Sequence, residues 1–202
     1  SLLVLFGLNL FQHLRLEKLN RVLAENRRVA EERVRFLSRH DGLTGLLNRR
    51  ELEKQLQHAL ARATRQKELL AVLFLDLDGL KQLNDLHGHL VGDEALRVVA
   101  ERVALSVREV DKIARYGGDE FVIALERIED SEVAESVAER VLLHLERGFE
   151  VDQESFELSG SIGIALFPEH GVTPRALIQA ADQAMYEAKG LGGSRSAFAA
   201  SS

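Results

Sequence analysis

The sequence Ala71-Val-Leu-Phe-Leu-Asp-Leu-Asp78 decides the fold. Its apolar run ends in polar residues and indicates a buried β-strand, which we place at Leu69 to Asp76. Two carboxylates, Asp76 and Asp78, stand where this strand emerges at the edge of its sheet. Acidic side chains at such a place either cap the following helix, as aspartate does well near Gly79, or bind a ligand. We therefore predict that the strand lies in the core and that the acids at its end are candidate ligand-binding residues.

Helices and strands alternate around this strand. Further strands are predicted at Lys112 to Tyr116, Glu120 to Leu125, near Phe149, and at Phe156 to Ala165. Helices are predicted at Asn48 to Gln66, at Ser131 to Arg147, and from Pro174, behind a Thr173 cap, to about Lys189, with helical segments between Leu80 and Ser106. This order predicts an α/β fold (α+β, sandwich-like) in which a central mixed β-sheet is flanked by helices. No helix or strand is predicted in the small-residue tail from Gly190 to Ser202.

A long amphipathic helix is predicted before the sheet, from about Leu14 to Arg39. Asn26 lies on its apolar stripe, as expected where a buried polar residue fixes the register of a parallel two-stranded coiled coil. Two registers overlap, and a single helix packed on its own domain is the alternative. We expect pairing, and therefore a homodimer. The stripe has near-heptad spacing and consists of Leu16, Leu19, Val22, Leu23, Val29, Ala30, Phe36 and Leu37.

The segment Ser1 to Phe11 is almost wholly apolar. It falls short of the roughly 20 residues that a membrane-spanning helix needs. Two interpretations stay open: the remnant of a membrane segment that belongs to an upstream sensor or anchor, and the apolar start of the paired helix.

Composition restricts the classes of function. The chain has 202 residues, with 32 acidic and 26 basic side chains and a formal net charge of −6. This balance argues against electrostatic capture of nucleic acid, so any phosphate ligand must be held locally. The sequence contains no cysteine, which excludes disulfides, thiolate catalysis and cysteine-bound zinc.

A β-hairpin is predicted at Arg115-Tyr-Gly-Gly-Asp-Glu-Phe121. Gly117 and Gly118 supply the positive φ that a tight connection requires, and acidic residues follow them at the turn. One carboxylate here and one at the end of the central strand could converge on Mg²⁺, a hard cation that prefers oxygen ligands and shares them with substrate phosphates. A plain tight hairpin is the alternative.

This hairpin resembles the signature of the GGDEF family of diguanylate cyclases, and the resemblance covers roughly residues 38 to 196. Several spaced motifs in one order make a chance match remote. The resemblance implies a palm-like, nucleotidyl-cyclase-like fold, with residues 1–39 as a signalling and dimerisation helix and residues 40–202 as the catalytic domain. The further motifs are Asp41-Gly-Leu-Thr-Gly-Leu-Leu-Asn-Arg-Arg50, Asp76-Leu-Asp-Gly-Leu-Lys-Gln-Leu-Asn-Asp85, Gly88-His89 with Gly92-Asp93, Ser161-Ile-Gly-Ile-Ala165 and Ala181-Asp-Gln-Ala-Met-Tyr-Glu-Ala-Lys189.

The resemblance also implies the metal site. Asp76 and Asp119 would be the metal carboxylates, with the Leu77 carbonyl as a further ligand and Glu120 beside them. The expected cofactor is Mg²⁺, two ions per active site, although the residues alone do not distinguish Mg²⁺ from Mn²⁺. Glu120 would assist deprotonation of the attacking 3′-hydroxyl or serve only as a ligand.

Substrate contacts are implied in the same way. Asn84 and Asp93 match the positions that read guanine, and Asp93 favours GTP over ATP; the alternative is that both cap helices. Lys81 and Lys189 would contact phosphates, as lysine does with its point charge. Glycines 117 and 118 would let the backbone approach those phosphates.

The pair Arg108 and Asp111 matches the family's Arg-x-x-Asp product site, at which cyclic di-GMP restrains activity. A surface salt bridge is the alternative. Two positions depart from the family pattern. Leu80 replaces a usual Phe, and Gly193 stands where the family commonly has Arg. One phosphate contact is therefore either missing or supplied by Arg195.

The expected function is therefore condensation of two GTP molecules into cyclic di-GMP and two pyrophosphates by a homodimer, with feedback by the product. A catalytically silent receptor for cyclic di-GMP is the alternative from another class. A palm-like transferase acting on nucleic acid finds no basic groove in a chain of this charge. We expect the catalytic domain in the cytoplasm and leave open a parent protein anchored in the inner membrane.

Overall fold

The computed structural model describes the backbone of residues 2–200 and the side chains of residues 15–200. The chain divides into two compact units, with the boundary between Arg39 and His40. The elements, in chain order, are α1 (Leu2–Leu37), β1 (Leu47–Asn48), α2 (Arg49–Gln66), β2 (Leu69–Asp78), α3 (Leu80–His87), α4 (His89–Leu105), β3 (Lys112–Gly117), β4 (Glu120–Ile128), α5 (Ser131–Leu145), β5 (Phe149–Val151), β6 (Glu154–Phe156), β7 (Ser159–Phe167), α6 (Pro174–Gly190) and β8 (Ser196–Phe198).

Helix α1 is longer than predicted, since it begins at Leu2 rather than near Leu14. Every described side chain of α1 is exposed, the apolar stripe included. Ion pairs one turn apart, such as Arg27 with Glu31, support the helix along its polar side. Pairing through the stripe stays a prediction. The apolar segment Ser1 to Phe11 lies outside the residues whose side chains are described, and within the described part no helix is long and apolar enough to span a membrane.

The second unit is built on a mixed six-stranded sheet, as predicted, in the order β1-β3-β4-β2-β7-β8. Strand β2 lies at its centre, antiparallel to β4 and β7, while β1 pairs parallel with β3 and β8 parallel with β7. In this register Asp76 lies opposite Glu120 on one side and Ser161 on the other. The sheet therefore brings an acid of the first motif next to an acid of the hairpin.

Strand alternation gives the two faces of the sheet separate cores. Leu73, Leu75 and Leu77 of β2 belong to the cluster that includes α4 and α5, whereas Val72 and Phe74 belong to the cluster that includes α2 and α6. Asp76 continues the second series, so its side chain lies on the α2–α6 face. Helices on both faces explain why β2 is apolar throughout.

Several boundaries differ from prediction, since β2 continues to Asp78 and β4 to Ile128, whereas α5 ends at Leu145. The predicted strand Phe156 to Ala165 is divided, because β6 pairs with β5 in a separate hairpin and β7 begins at Ser159. The helical segments predicted between Leu80 and Ser106 are α3 and α4, which are separated at Gly88, whose φ is 85°. The tail contains β8, which was missed because a three-residue edge strand has almost no periodicity. Thr173 caps α6 as predicted, accepting from the Ala176 amide.

Candidate active site

The end of β2 and the β3–β4 turn form one acidic site. Asp76 and Glu120 are register partners on adjacent strands, and the Leu77 amide donates to the Asp119 carbonyl at 3.2 Å. Of the two glycines predicted to have a positive φ, Gly118 has one, of 39°, whereas Gly117 does not and ends β3. The structure therefore brings together Asp76, Leu77, Asp119 and Glu120, the four residues expected to hold a metal.

The acids of this site repel one another. Burial raises the pKa of Asp76, and the charges of Asp119 and Asp78 add to that rise, while Lys189 opposes it. Burial also raises the pKa of Glu120, with further contributions from Asp119, Asp182 and Asp76. A cation placed among these carboxylates would relieve the repulsion.

Lys189 supplies one such positive charge. It lies in the last turn of α6, and its Nζ donates to Asp76 Oδ1 at 2.5 Å. Burial lowers the pKa of Lys189, but the hydrogen bond and charge of Asp76 outweigh it, so the net shift is upward. The predicted phosphate-binding lysine thus lies at the acidic site rather than on a remote surface.

The donor atoms suit a hard divalent cation, because they are carboxylate oxygens with a backbone carbonyl beside them. Within the described residues no group of three or more acidic, histidine or cysteine side chains is already arranged as a coordination shell. Lys189 instead pairs with the acid that a metal would need. The residues fit Mg²⁺ or Mn²⁺ in chemistry and charge.

Asp78 has a structural role that the sequence did not reveal. It does not cap α3, whose N-cap is Gly79. Its carboxylate accepts from the Ser161 hydroxyl at 3.1 Å and from the Ser194 amide at 3.1 Å, and it reaches Ser159 at 3.5 Å. Asp78 therefore joins the end of β2 to β7 and to the segment after α6.

Gly193, the departure from the family pattern, packs against this carboxylate. A Cβ built at Gly193 would lie 2.9 Å from Asp78 Oδ2, and the residue has a φ of 71° that disfavours a side chain. The local backbone therefore suits glycine. Arg195 Nε donates to the Gly193 carbonyl at 3.3 Å, and its expected contact with phosphate stays a prediction.

Asn84 and Asp93 lie inside α3 and α4, so neither is an N-cap, contrary to the alternative interpretation. Gly92 packs directly on Asn84: a Cβ there would lie 1.9 Å from Asn84 Oδ1. Among the described residues, none hydrogen-bonds to this buried oxygen. An acceptor without a partner suits a ligand that donates, such as the edge of a base. Lys81 is exposed on α3.

Arg108 and Asp111 lie elsewhere, beside the far end of β4. The Asp111 carboxylate accepts from the amides of Arg108 at 2.8 Å and Glu126 at 3.2 Å. Glu126 is six residues along β4 from Glu120, or about 20 Å. A cavity of about 370 Å³ is lined by Arg108, Asp111 and Arg140. The pair Arg108 and Asp111 therefore lies apart from the acidic site, and its role in binding the product stays a prediction.

Arg115 and Asp41 were missed as a functional pair, although both lie in quoted motifs. The Arg115 guanidinium donates to the Gly118 carbonyl at 2.7 and 2.9 Å, and its Nη1 lies 3.4 Å from the Asp41 carboxylate. Burial raises the pKa of Asp41, but hydrogen bonds from Thr44 and the charge of Arg115 outweigh it and hold the pKa below its ordinary value. The pair fixes the glycine turn to the loop that begins the second unit.

Comparison with known proteins gives the family. Residues 38–195 match the family described as "Diguanylate cyclase, GGDEF domain". Over 178 residues the chain is 43% identical to the bifunctional diguanylate cyclase/cyclic di-GMP phosphodiesterase MucR of Pseudomonas aeruginosa, covering 88% of this chain and 26% of that protein. The chain thus spans about a quarter of that relative's length.

Solved structures agree with this assignment. The GGDEF domain of TpbB (YfiN) from Pseudomonas aeruginosa superimposes with a TM-score of 0.78 at 40% identity, covering 80% of this chain and 94% of that one. The coiled coil and GGDEF domain of DgcB from Caulobacter crescentus, solved in complex with c-di-GMP, gives a TM-score of 0.78 at 28% identity, covering 90% and 97%.

Proposed function

Because this chain belongs to the GGDEF-domain family of diguanylate cyclases, we propose that it condenses two molecules of GTP into cyclic di-GMP. The observation that carries the proposal is the convergence of Asp76, Asp119 and Glu120 at one edge of the sheet, with Lys189 against Asp76. Carboxylates placed this close together repel one another, and a relative without catalytic activity would not need such an arrangement.

In the proposed reaction the 3′-oxygen of one GTP forms a bond to the α-phosphorus of the other. The bond from that phosphorus to the bridging oxygen breaks, and pyrophosphate leaves with the electron pair. The 3′-hydroxyl proton passes to the Glu120 carboxylate, or to water if Glu120 serves only as a ligand. The same step in the other direction closes the ring.

A divalent cation bound by Asp76, Asp119, Glu120 and the Leu77 carbonyl would neutralise charge on the phosphates and lower the pKa of the attacking hydroxyl. We propose Mg²⁺, two ions per site, with Mn²⁺ able to use the same oxygen donors. Lys189 holds the triphosphate beside these carboxylates, with Lys81 reaching it from α3. Gly117 and Gly118 leave the backbone open to phosphate oxygens.

Asn84 and Asp93 read the guanine. The Asp93 carboxylate accepts from the base N1–H and amino groups, which adenine cannot offer in the same arrangement. The buried Asn84 Oδ1, to which no described residue donates, accepts a hydrogen bond from the base. With ATP bound, the polar groups of Asn84 and Asp93 would be left without hydrogen-bond partners. The pair therefore favours GTP over ATP.

Each subunit holds one GTP, so two copies must face each other to close the ring. The exposed apolar stripe of α1 supports a homodimer through a parallel coiled coil, with Asn26 fixing its register. Replacement of Asn26 by Leu should change the oligomeric state or activity, and unchanged values of both would contradict this part of the proposal. The catalytic domain works in the cytoplasm, where GTP is supplied; an upstream sensor or membrane anchor would act through α1.

The cavity beside Arg108 and Asp111 supports a product site that restrains activity. It also favours a second candidate function, a receptor for cyclic di-GMP. One experiment distinguishes the two: incubation of the protein with GTP and Mg²⁺, followed by chromatography of the nucleotides. We expect cyclic di-GMP from the wild type and none from the Asp119→Ala and Glu120→Ala variants. A folded, dimeric wild type that binds cyclic di-GMP and forms none would be a receptor.

A further inference from the structure

The β5–β6 hairpin is a two-stranded unit that lies outside the six-stranded sheet. Its strands pair antiparallel, with Phe149 opposite Phe156, and the two rings pack on each other with their centroids 5.3 Å apart. Both rings are buried in the core cluster that includes α4 and α5. The hairpin therefore packs on the same face of the sheet as α3 and α4, the helices that carry Asn84 and Asp93.

Helix α3 has few anchors of its own. It is eight residues long; all of its residues are described, and only Leu80, in the first turn, is buried. Asn84 lies one turn later, and the helix ends at His87. A helix this short is marginal without tertiary contacts. The position of Asn84 therefore depends on what holds the end of α3.

The hairpin supplies a contact at that end. The His87 ring meets the Phe156 ring edge-on, with the two centroids 4.9 Å apart and an angle of 77° between the planes. Aromatic rings favour this T-shaped arrangement. The Gly88 amide, which follows His87, donates to the Asn84 carbonyl at 2.8 Å. The turn of helix that begins at Asn84 is therefore held against the hairpin where it ends.

A second contact joins the hairpin to α4. The Arg102 guanidinium donates to the Leu145 carbonyl at 3.0 Å and to the carbonyl of Gly148, which directly precedes β5. Arg102 is nine residues from Asp93 on the same helix, or about 14 Å along its axis. The hairpin thus contacts both helices of the proposed guanine site, one close to Asn84 and the other beyond Asp93.

We propose that the β5–β6 hairpin positions the guanine site, with His87 as the positioning residue. Through the contact between His87 and Phe156, the hairpin holds the end of α3 at the distance from α4 at which Asn84 and Asp93 reach one base. His87 acts through Asn84 and not on the base itself. The inference rests on the proposed reading of guanine by Asn84 and Asp93, and it adds a residue that sets the selectivity of that reading.

Selectivity between two nucleotides tests this role, because a change that affects only the stability of the fold leaves the ratio of two affinities unaltered. The measurements are the affinities for non-hydrolysable analogues of GTP and ATP with Mg²⁺, by calorimetry, and the temperature of thermal unfolding. His87→Ala removes the ring from an exposed position, whereas His87→Phe retains a ring there. His58→Ala is the matched control, because His58 is exposed on α2, which packs on the opposite face of the sheet.

We expect His87→Ala to lower the affinity for the GTP analogue by about 3- to 10-fold, the scale of one edge contact between aromatic rings. The affinity for the ATP analogue, which cannot make the same base contacts, should change by less than about twofold. His87→Phe and His58→Ala should match the wild type. Phe156→Leu keeps an apolar side chain in the core without the ring, so it should reproduce the loss and add nothing further when it is combined with His87→Ala.

Wild-type affinities for both analogues in His87→Ala would overturn the positioning role and leave the cyclase and its guanine site intact. Equal losses for the two analogues, with a lower unfolding temperature, would also overturn it, because His87 would then support only the fold. A wild type that binds both analogues equally well would instead overturn the proposed reading of guanine, and the positioning role with it.

Discussion

Replacement of Gly92 by alanine tests guanine recognition without changing a polar group. The new Cβ would lie 1.9 Å from Asn84 Oδ1, and real contacts of this kind are not shorter than 3.0 Å, so the amide must move by about 1.1 Å. Loss of the hydrogen bond between the base and this buried oxygen would cost about 1 to 3 kcal/mol of binding free energy. We expect the affinity for a non-hydrolysable GTP analogue to fall by roughly 10- to 100-fold.

The stability of the fold should respond in the opposite direction. Gly92 lies inside α4, where alanine is favoured over glycine by up to about 1 kcal/mol, and the atom that it displaces is the end of a side chain. Thermal unfolding should therefore occur at the wild-type temperature or above. A loss of affinity without a loss of stability separates damage to the site from damage to the fold.

Calorimetric titration with the analogue and Mg²⁺ measures the effect, with Gly190→Ala as the control. Gly190 also lies in a helix, and a Cβ built there meets no atom of another element within 4 Å. Gly190→Ala should therefore bind the analogue with the affinity of the wild type. If Gly92→Ala bound the analogue within twofold of the wild type, the Asn84 amide would not contact the base.

Three further predictions concern the contacts around the two sites. Asp41→Asn weakens the support of the glycine turn, so turnover should fall. The pKa of Asp41 is lowered in the folded state, so the carboxylate stabilises the fold above its ordinary pKa of 3.8 and loses this effect as the pH falls below it. The melting temperatures of the wild type and the variant should therefore converge in acid. A constant difference across pH 2 to 7 would contradict this. Asp78→Ala leaves the buried Ser161 hydroxyl without an acceptor, so chemical denaturation should show a free energy of unfolding lower by about 1 to 3 kcal/mol. Asp78→Asn should have a smaller effect. Equal stability of the wild type and both variants would refute the structural role of Asp78. Arg108→Ala should raise the concentration of cyclic di-GMP needed for inhibition at least tenfold while the initial rate stays unchanged, and unaltered inhibition would exclude this arginine from the product site.

The main elements of the second unit could be predicted because each has a local signal. An apolar run identified β2, paired glycines identified the β3–β4 turn, and a Thr-Pro pair identified the start of α6. Elements without such a signal were missed. Strand β8 is three residues long, and the two-residue strand β1 forms only because β3 lies beside it.

The candidate site could be predicted in its residues but not in its contacts. Motifs named Asp76 and Lys189, yet the hydrogen bond between them joins positions 113 residues apart. The roles of Asp78 and Arg115 were missed for the same reason, because their partners lie 83 and 74 residues away. Such pairs depend on how helices pack on the sheet.

By itself, then, the sequence determined the family, the acidic motifs and the alternation of helices with strands, because side-chain periodicity and turn chemistry act over a few neighbouring residues. Only the tertiary structure decided which face of the sheet each carboxylate occupies, that Gly92 packs on Asn84, and that the β5–β6 hairpin meets α3 at His87. These features arise where separate elements meet, and the geometry of that meeting is set by packing of the whole core.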